Sequence, residues 1–224
     1  MIKIAIDGPS GSGKSSVAKA VSAELGIVYV DTGALYRSVG YYVKEKGKDP
    51  KNVCEVTALL PEIEIDVKYE KGVQCVYLNG ENLGDRIRQP EISMYASAVS
   101  AIPSVREFLL ETQKSIARKN NVIMDGRDIG TVILPDADVK IFMFASNEAR
   151  AMRRFKELSE KGTTVRYEDV LREMIERDEN DRSRAVAPAV PAEDAIMFDN
   201  SELDLEESTR YVINIIKEKI GEIR

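Results

Sequence analysis

The sequence predicts an α/β protein: a five-stranded parallel sheet flanked by helices, with a small antiparallel β insert and a short helical lid. Three observations carry this. Gly8-Pro9-Ser10-Gly11-Ser12-Gly13-Lys14-Ser15 matches the spacing G-x-x-x-x-G-K-[ST], between an apolar run holding Ile2, Ile4 and Ile6 and a helical repeat of Val17, Ala18, Val21 and Leu25. Further apolar runs at 27–30, 122–124, 139–144 and 195–198 alternate with stretches of helical period, as parallel strands joined by helical crossovers do. Between 27–30 and 122–124, residues 62–78 switch to a period of two and end at Asn79-Gly80, a hairpin signal.

Composition narrows the chemistry. At 224 residues and 43% hydrophobic, the chain can bury one core with excursions, read as a single domain over 1–224 with a β insert at 60–88 and a lid at 147–165. A net charge of −6 argues against a general polyanion surface, so nucleic acid is not expected as a partner. No stretch approaches the roughly 18 apolar residues of a membrane span. Met1-Ile2-Lys3 leads straight into the first strand, which argues against a signal peptide and for a cytoplasmic protein. Cys54 and Cys75 lack C-x-x-C spacing and read as reduced thiols. The chain has no histidine, which removes Ser-His-Asp hydrolysis and leaves phosphoryl transfer to an acceptor already ionised.

Taken in order, the glycine loop comes first. Gly8, Gly11 and Gly13 let backbone N–H groups approach phosphate oxygens, Lys14 supplies charge to the β- and γ-phosphates, and Ser15 offers a hydroxyl to Mg2+. Gly26 caps the first helix, and Ile27-Val28-Tyr29-Val30 forms a strand ending at Asp31, followed by a helix through Leu35, Tyr36, Val39, Tyr42 and Val43. Asp31, Thr32 and Arg37 stand at a strand's carboxyl end, where ligands bind in open α/β sheets; a helix cap and a solvated arginine is the competing reading.

Ile63, Ile65, Val67 and Tyr69 alternate with charged residues, and Val73–Leu78 adds a second strand; this insert either covers a substrate or decorates the fold. Helices begin at Pro90 and Pro103, with Ser97 and Arg106 flanking the break between them. Val122-Ile123-Met124 runs into Asp125-Gly126-Arg127-Asp128. There a carboxylate suits Mg2+ and an arginine suits a phosphate, unless the turn holds a solvated ion pair. Arg150, Arg153 and Arg154 precede Lys161-Gly162 and suggest a mobile basic segment able to close over a nucleotide. Arg177, Asp181 and Arg184 share one helical face, which an ordinary surface ion pair would also explain. A closing amphipathic helix carries Leu205, Val212, Ile213, Ile216 and Ile220.

Four segments in this order resemble the bacterial cytidylate kinases, of the nucleoside monophosphate kinases with a P-loop NTPase core. They are Ile6–Ser15, Asp31-Thr32-Gly33-Ala34-Leu35-Tyr36-Arg37, Asp125–Val132 and Arg182–Pro188. The resemblance runs nearly end to end and implies ATP-dependent phosphorylation of CMP or dCMP, with Mg2+, by a monomer. It implies that Gly8 to Ser16, including Pro9, Ser10, Ser12 and Ser16, hold ATP, with Ser15, Asp31 and Asp125 as candidate metal ligands. Arg37, Arg127 and Arg184 would hold the CMP phosphate, with Thr32 beside them. Ser97, Arg106 and Asp128 would read cytosine, and Arg177 and Asp181 would hold the ribose. Lys14, Arg127, Arg184 and one or more of Arg150, Arg153 and Arg154 would serve catalysis. Thr32 stands where some members have Ser, and Ser15-Ser16 where others have Gly-Thr; both keep a hydroxyl in place. A kinase of the same fold acting on another small molecule, and a nucleotide switch without turnover, are the alternatives.

Overall fold

A computed structural model describes residues 1–70, 72–160 and 162–221. Lys71, within the 60–88 insert, Lys161, within the 147–165 lid, and residues 222–224 lie outside the described residues. The strands are β1 (Lys3–Asp7), β2 (Val28–Asp31), β3 (Ile65–Glu70), β4 (Val73–Leu78), β5 (Glu81–Asn82), β6 (Val122–Gly126), β7 (Val139–Phe144) and β8 (Ile196–Asp199). The helices are α1 (Lys14–Leu25), α2 (Thr32–Glu45), α3 (Val53–Leu59), α4 (Pro90–Val99), α5 (Pro103–Lys119), α6 (Asn147–Glu160), α7 (Tyr167–Arg182) and α8 (Leu205–Ile220). Five strands form the expected parallel sheet, in the order β2-β6-β1-β7-β8, and β3-β4-β5 form a separate antiparallel sheet. The chain divides into two compact units, residues 1–27 with 121–224 and residues 28–120.

In the first unit β1 is central because Ile4, Ala5 and Ile6 are wholly buried, and only a strand covered on both faces tolerates such a run. Its register sets Ile6 opposite Asp125 and Asp7 opposite Gly126. The start of the glycine loop and the Asp125–Arg127 segment therefore leave the sheet side by side. Helix α1 ends as predicted at Gly26, in the left-handed region (φ 66°), whose N–H donates to Ser22 O. Helix α8, packed on α1, begins with a reciprocal cap in which Asp204 accepts from the Glu207 N–H and Glu207 from the Asp204 N–H.

In the second unit, Leu35, Val39, Val43, Val56, Ile92, Val99, Val105 and Leu109 are among the residues that build the apolar core. Helices α2 and α4 touch backbone to backbone: a Cβ on Gly40 would lie 2.9 Å from Ala96 N. The predicted alternation is observed, with Ile65, Val67 and Tyr69 half-buried and Asp66, Lys68 and Glu70 exposed. Asn79 (φ 49°) and Gly80 (φ 82°) turn β4 into β5 through two left-handed residues, as a two-residue hairpin requires. Two short 3-10 turns, Leu60–Glu62 and Gly84–Arg88, and two further elements go beyond the sequence reading. Helix α3 is an added short helix, capped by Asn52 accepting from the Glu55 N–H. Residues Ile129–Ile133 wind into one π-helical turn after β6.

Candidate active site

The loop between β1 and α1 has the conformation its glycines promise. Gly8 (φ 148°), Gly11 (φ 71°) and Gly13 (φ 89°) occupy backbone regions that disfavour side chains. At Gly8 the demand is absolute, since a Cβ would sit 2.0 Å from Met143 O. Lys14 is buried and folds back over its own loop, donating from Nζ to Pro9 O (2.6 Å) and Ser12 Oγ (3.3 Å). Burial holds its ammonium well below the usual lysine range. Arg127 adds to the shift, while Asp125, Asp7 and Asp178 oppose it.

Three long-range contacts support this loop from behind. Asn200 donates to Ser12 O (3.0 Å), Asp178 Oδ1 accepts from the Ser10 N–H (3.1 Å), and Arg150 donates to Ser10 O (2.7 Å). The sequence reading missed Asn200 and Asp178, which lie far from the loop along the chain and belong to no motif. Ser16 is exposed at the start of α1.

Ser15 Oγ donates to Asp125 Oδ2 at 2.7 Å. Two hard oxygens, one on the loop and one at the end of β6, are of the kind that Mg2+ takes alongside phosphate, so this pair fits the metal. No group of three or more His, Cys, Asp or Glu side chains able to hold a metal ion occurs among the described residues. Asp31, the third candidate ligand, belongs to the second unit and is engaged there. Its Oδ1 caps α2 by accepting from Ala34 N (2.9 Å), and its Oδ2 accepts from Arg37 (2.7 Å).

Asp7 was not singled out from the sequence, yet it is buried and accepts the N–H groups of Ile129 and Gly130 on its two oxygens, 2.7 Å each. Those bonds shape the π turn that follows Asp128, itself buried. Desolvation pushes the Asp7 carboxyl up to about 6 despite the two N–H donors; Asp128 adds to the rise and Lys14 opposes it.

Three arginines gather on one carboxylate. Arg127 Nε donates to Asp181 Oδ2 (3.0 Å), Arg184 Nη2 lies 3.7 Å from Asp181 Oδ1, and Arg184 Nε donates to Asp181 O (3.1 Å). Burial alone would raise the Asp181 carboxyl, but Arg127, Arg184 and Arg177 together hold it below the usual carboxylate range. Arg184 meets Asp181 but not from a shared helical face, because α7 ends at Arg182 and Arg184 lies past its cap at Ser183. Arg177 acts on Asp181 through its charge, and Arg127 joins from another segment.

The lid arginines diverge. Arg150 is buried, Arg153 Nη2 donates to Asn200 O (2.7 Å), and Arg154, about a third exposed at 34%, donates to Glu157. In the second unit, Thr32 is buried at the start of α2. Ser97 O accepts from Ser100 Oγ (2.8 Å), Ser100 O accepts from Arg106 (3.0 Å), and the Arg106 guanidinium lies 5.4 Å from the Tyr36 ring centre. Gln74 was another residue missed: its amide accepts from Asp31 N (2.7 Å) and donates to Asp31 O (3.2 Å), tying β4 to the end of β2.

Backbone donors at one strand end and massed guanidiniums at the next are what a P-loop kinase needs, and fold and site assign this chain to that class. The sequence profile described as Cytidylate kinase matches residues 4–218. The chain is similar to "Cytidylate kinase" of Fervidobacterium nodosum, at 49% identity over 217 residues and 97% of each chain. It is also similar to the protein of that name from Caldicellulosiruptor bescii, at 47% identity over 96% of this chain and 95% of the relative. A solved structure of an uncharacterised protein from Eubacterium ventriosum shares the fold, with a TM-score of 0.51 and 16% identity over 97% of this chain and 99% of that one. The chain belongs to the cytidylate kinase family, whose members phosphorylate nucleoside monophosphates with ATP. No helix among the described residues is long and apolar enough to cross a membrane.

Proposed function

We propose that the protein transfers the γ-phosphate of ATP to the 5′-phosphate of CMP or dCMP, giving ADP and CDP or dCDP, by in-line attack of an acceptor phosphate oxygen. The observation that carries this is the cluster of Arg127, Arg177 and Arg184 around Asp181, electrostatically coupled through Arg127 to Lys14. Two phosphate groups repel each other, and fixed guanidiniums relieve that repulsion where charge builds up. The attacking oxygen is ionised at neutral pH, so no general base is needed, in keeping with a chain that has no histidine.

In this reading the N–H groups from Gly11 to Ser15 cradle the donor phosphates and Lys14 moves from Pro9 O to a phosphate oxygen. Mg2+, held by Ser15 and Asp125, would neutralise charge on the β- and γ-phosphates when bound. Arg37, Arg127 and Arg184 keep the acceptor-phosphate role, Arg177 and Asp181 the ribose, and Ser97, Arg106 and Asp128 the base. The carboxylate of Asp128 would accept the amino group of cytosine and repel the carbonyl oxygen that uracil carries there. The 147–165 segment would act as the lid that excludes water, with Arg153 and Arg154 its partly exposed arginines. We place the enzyme in the cytoplasm as a monomer, and light scattering at the 25.0 kDa mass of one chain tests the latter.

The decisive experiment is ADP production from Mg-ATP with CMP, dCMP, UMP, AMP, GMP or shikimate in separate reactions. Turnover confined to the cytidine nucleotides is expected; fast turnover with a different acceptor overturns the base-reading roles. Asp128→Ala should narrow the CMP-to-UMP preference by about tenfold, and an unchanged ratio removes that residue from the specificity set.

A further inference from the structure

The backbone of Ser10 is held at both its N–H and its C=O by a pair of side chains outside the P-loop motif. Its N–H donates to Asp178 Oδ1 (3.1 Å), and its C=O accepts from Arg150 Nη1 (2.7 Å). The same Nη1 pairs with Asp178 Oδ2 (2.5 Å), which closes a ring of three hydrogen bonds through the backbone of one residue. The packing is equally close, because a Cβ added to Gly11 would meet Met174 Cε at 3.0 Å and Arg150 Cβ at 3.4 Å. Helices α6 and α7 thus press directly against the outer turn of the loop.

Arg150 has a single donor left for any other task. A guanidinium carries five N–H bonds. Here Nε donates to Ala145 O, Nη1 to Ser10 O and Asp178, and Nη2 to Asn147 Oδ1, so four of the five are taken by protein acceptors. The residue is 3% exposed. Releasing it toward a phosphate would strip hydrogen bonds from buried acceptors, which is costly.

We propose that Asp178 is a positioning residue for nucleotide binding: with Arg150 it braces the Ser10 peptide, so that the N–H groups from Gly11 onward stay aimed at the donor phosphates. Arg150 serves this brace rather than the transferring phosphate. The inference rests on the P-loop being the ATP site. A phosphate cradle loses its advantage when its donors move by even about 1 Å, so an unbraced turn weakens binding without touching the ligand.

The test measures the Kd of ATP by calorimetry, the KM of ATP and of CMP, kcat, and Tm for wild type, Asp178→Asn, Arg150→Met and the double variant. An asparagine at 178 turns N–H groups toward either Ser10 or Arg150 and breaks the ring. It should raise the ATP Kd and KM about tenfold while the CMP KM stays within twofold. Because the pair acts as a unit, the double variant should bind ATP no worse than the weaker single one. Asp178→Glu keeps the charge on a longer arm and should recover at least half of the loss on a logarithmic scale; it also carries the test if Asp178→Asn does not fold. An ATP Kd within twofold of wild type in a folded Asp178→Asn overturns the proposal. Equal rises in both KM values, additive costs in the double variant, or a lowered Tm with unchanged ATP affinity overturn it too. A wild-type protein that binds no ATP overturns the P-loop reading instead, and so is told apart from failure of the brace.

Discussion

The two units differ in the range of several of the contacts that set their candidate site residues. In the first, Ser15 meets Asp125 across 110 positions of sequence, Asp7 meets Ile129 across 122, Ser10 meets Asp178 across 168 and Ser12 meets Asn200 across 188. In the second, Asp31 holds residues three and six positions on, Ser100 reaches back three, and Arg106 reaches back six. Strand ends become neighbours only once the sheet has formed, whereas helix caps and helix breaks are complete within one or two turns. The first unit's polar geometry is therefore a property of the whole sheet, and the second's is a property of short segments seated on an apolar core.

Five experiments sharpen or break this contrast, from the largest effect down. Lys14→Ala removes the one ammonium in the loop and should lower kcat/KM by about a thousandfold, roughly 4 kcal/mol, with the Tm of the second unit unmoved. Arg127→Ala should cost about 2–4 kcal/mol in kcat/KM, and a loss below about threefold would end its assigned role.

Asp7 gives a pH signature. Its carboxyl titrates near 6 when folded against 3.8 as the ordinary value, so between those limits the folded state binds the extra proton. Stability from this group is therefore present at the acid end and lost as pH rises through about 6, by the order of 3 kcal/mol. Unfolding of wild type and Asp7→Asn compared from pH 4 to pH 7 should show wild type losing ground as pH rises; parallel curves would deny the shift.

Gly40→Ala probes the other unit. Alanine favours a helix by about 1 kcal/mol, but its Cβ would meet the α4 backbone at 2.9 Å, so a net loss of about 1–3 kcal/mol is expected, with ATP affinity unchanged. A weakened ATP Kd in this variant would break the contrast. At the small end, Arg210→Ala removes an exposed pair with Glu206 on α8 and should shift stability by less than about 0.5 kcal/mol.

The same difference in range explains what could be read from sequence. The glycine loop, the five strands, the Pro-started helices and the Asn79-Gly80 hairpin are local patterns, and the fold displays each of them. Helix α3 left a usable sign, since Asn52 followed three positions later by Glu55 is a capping pattern, but seven residues are too few for a clear period. Asp178, Asn200 and the π turn gave no sign at all. Their roles arise from partners more than a hundred residues away, and nothing in the spacing of Asp7 announces that it will collect two successive N–H groups. Arg150, Arg153 and Arg154 show what adjacency leaves open: one or more of them is expected to serve the lid, and in the fold Arg150 is buried against Ser10 while Arg153 reaches Asn200 O and Arg154 reaches Glu157.

Lys14 lying on Pro9 O and Ser12 Oγ also has a bearing on which anions the loop admits. Two of the three N–H bonds of its ammonium go to these oxygens, so an incoming ligand that is to take more than one contact from Nζ does so by exchange. A monovalent ion offering a single contact makes a poor trade, while a polyphosphate reaching several N–H groups at once makes a good one.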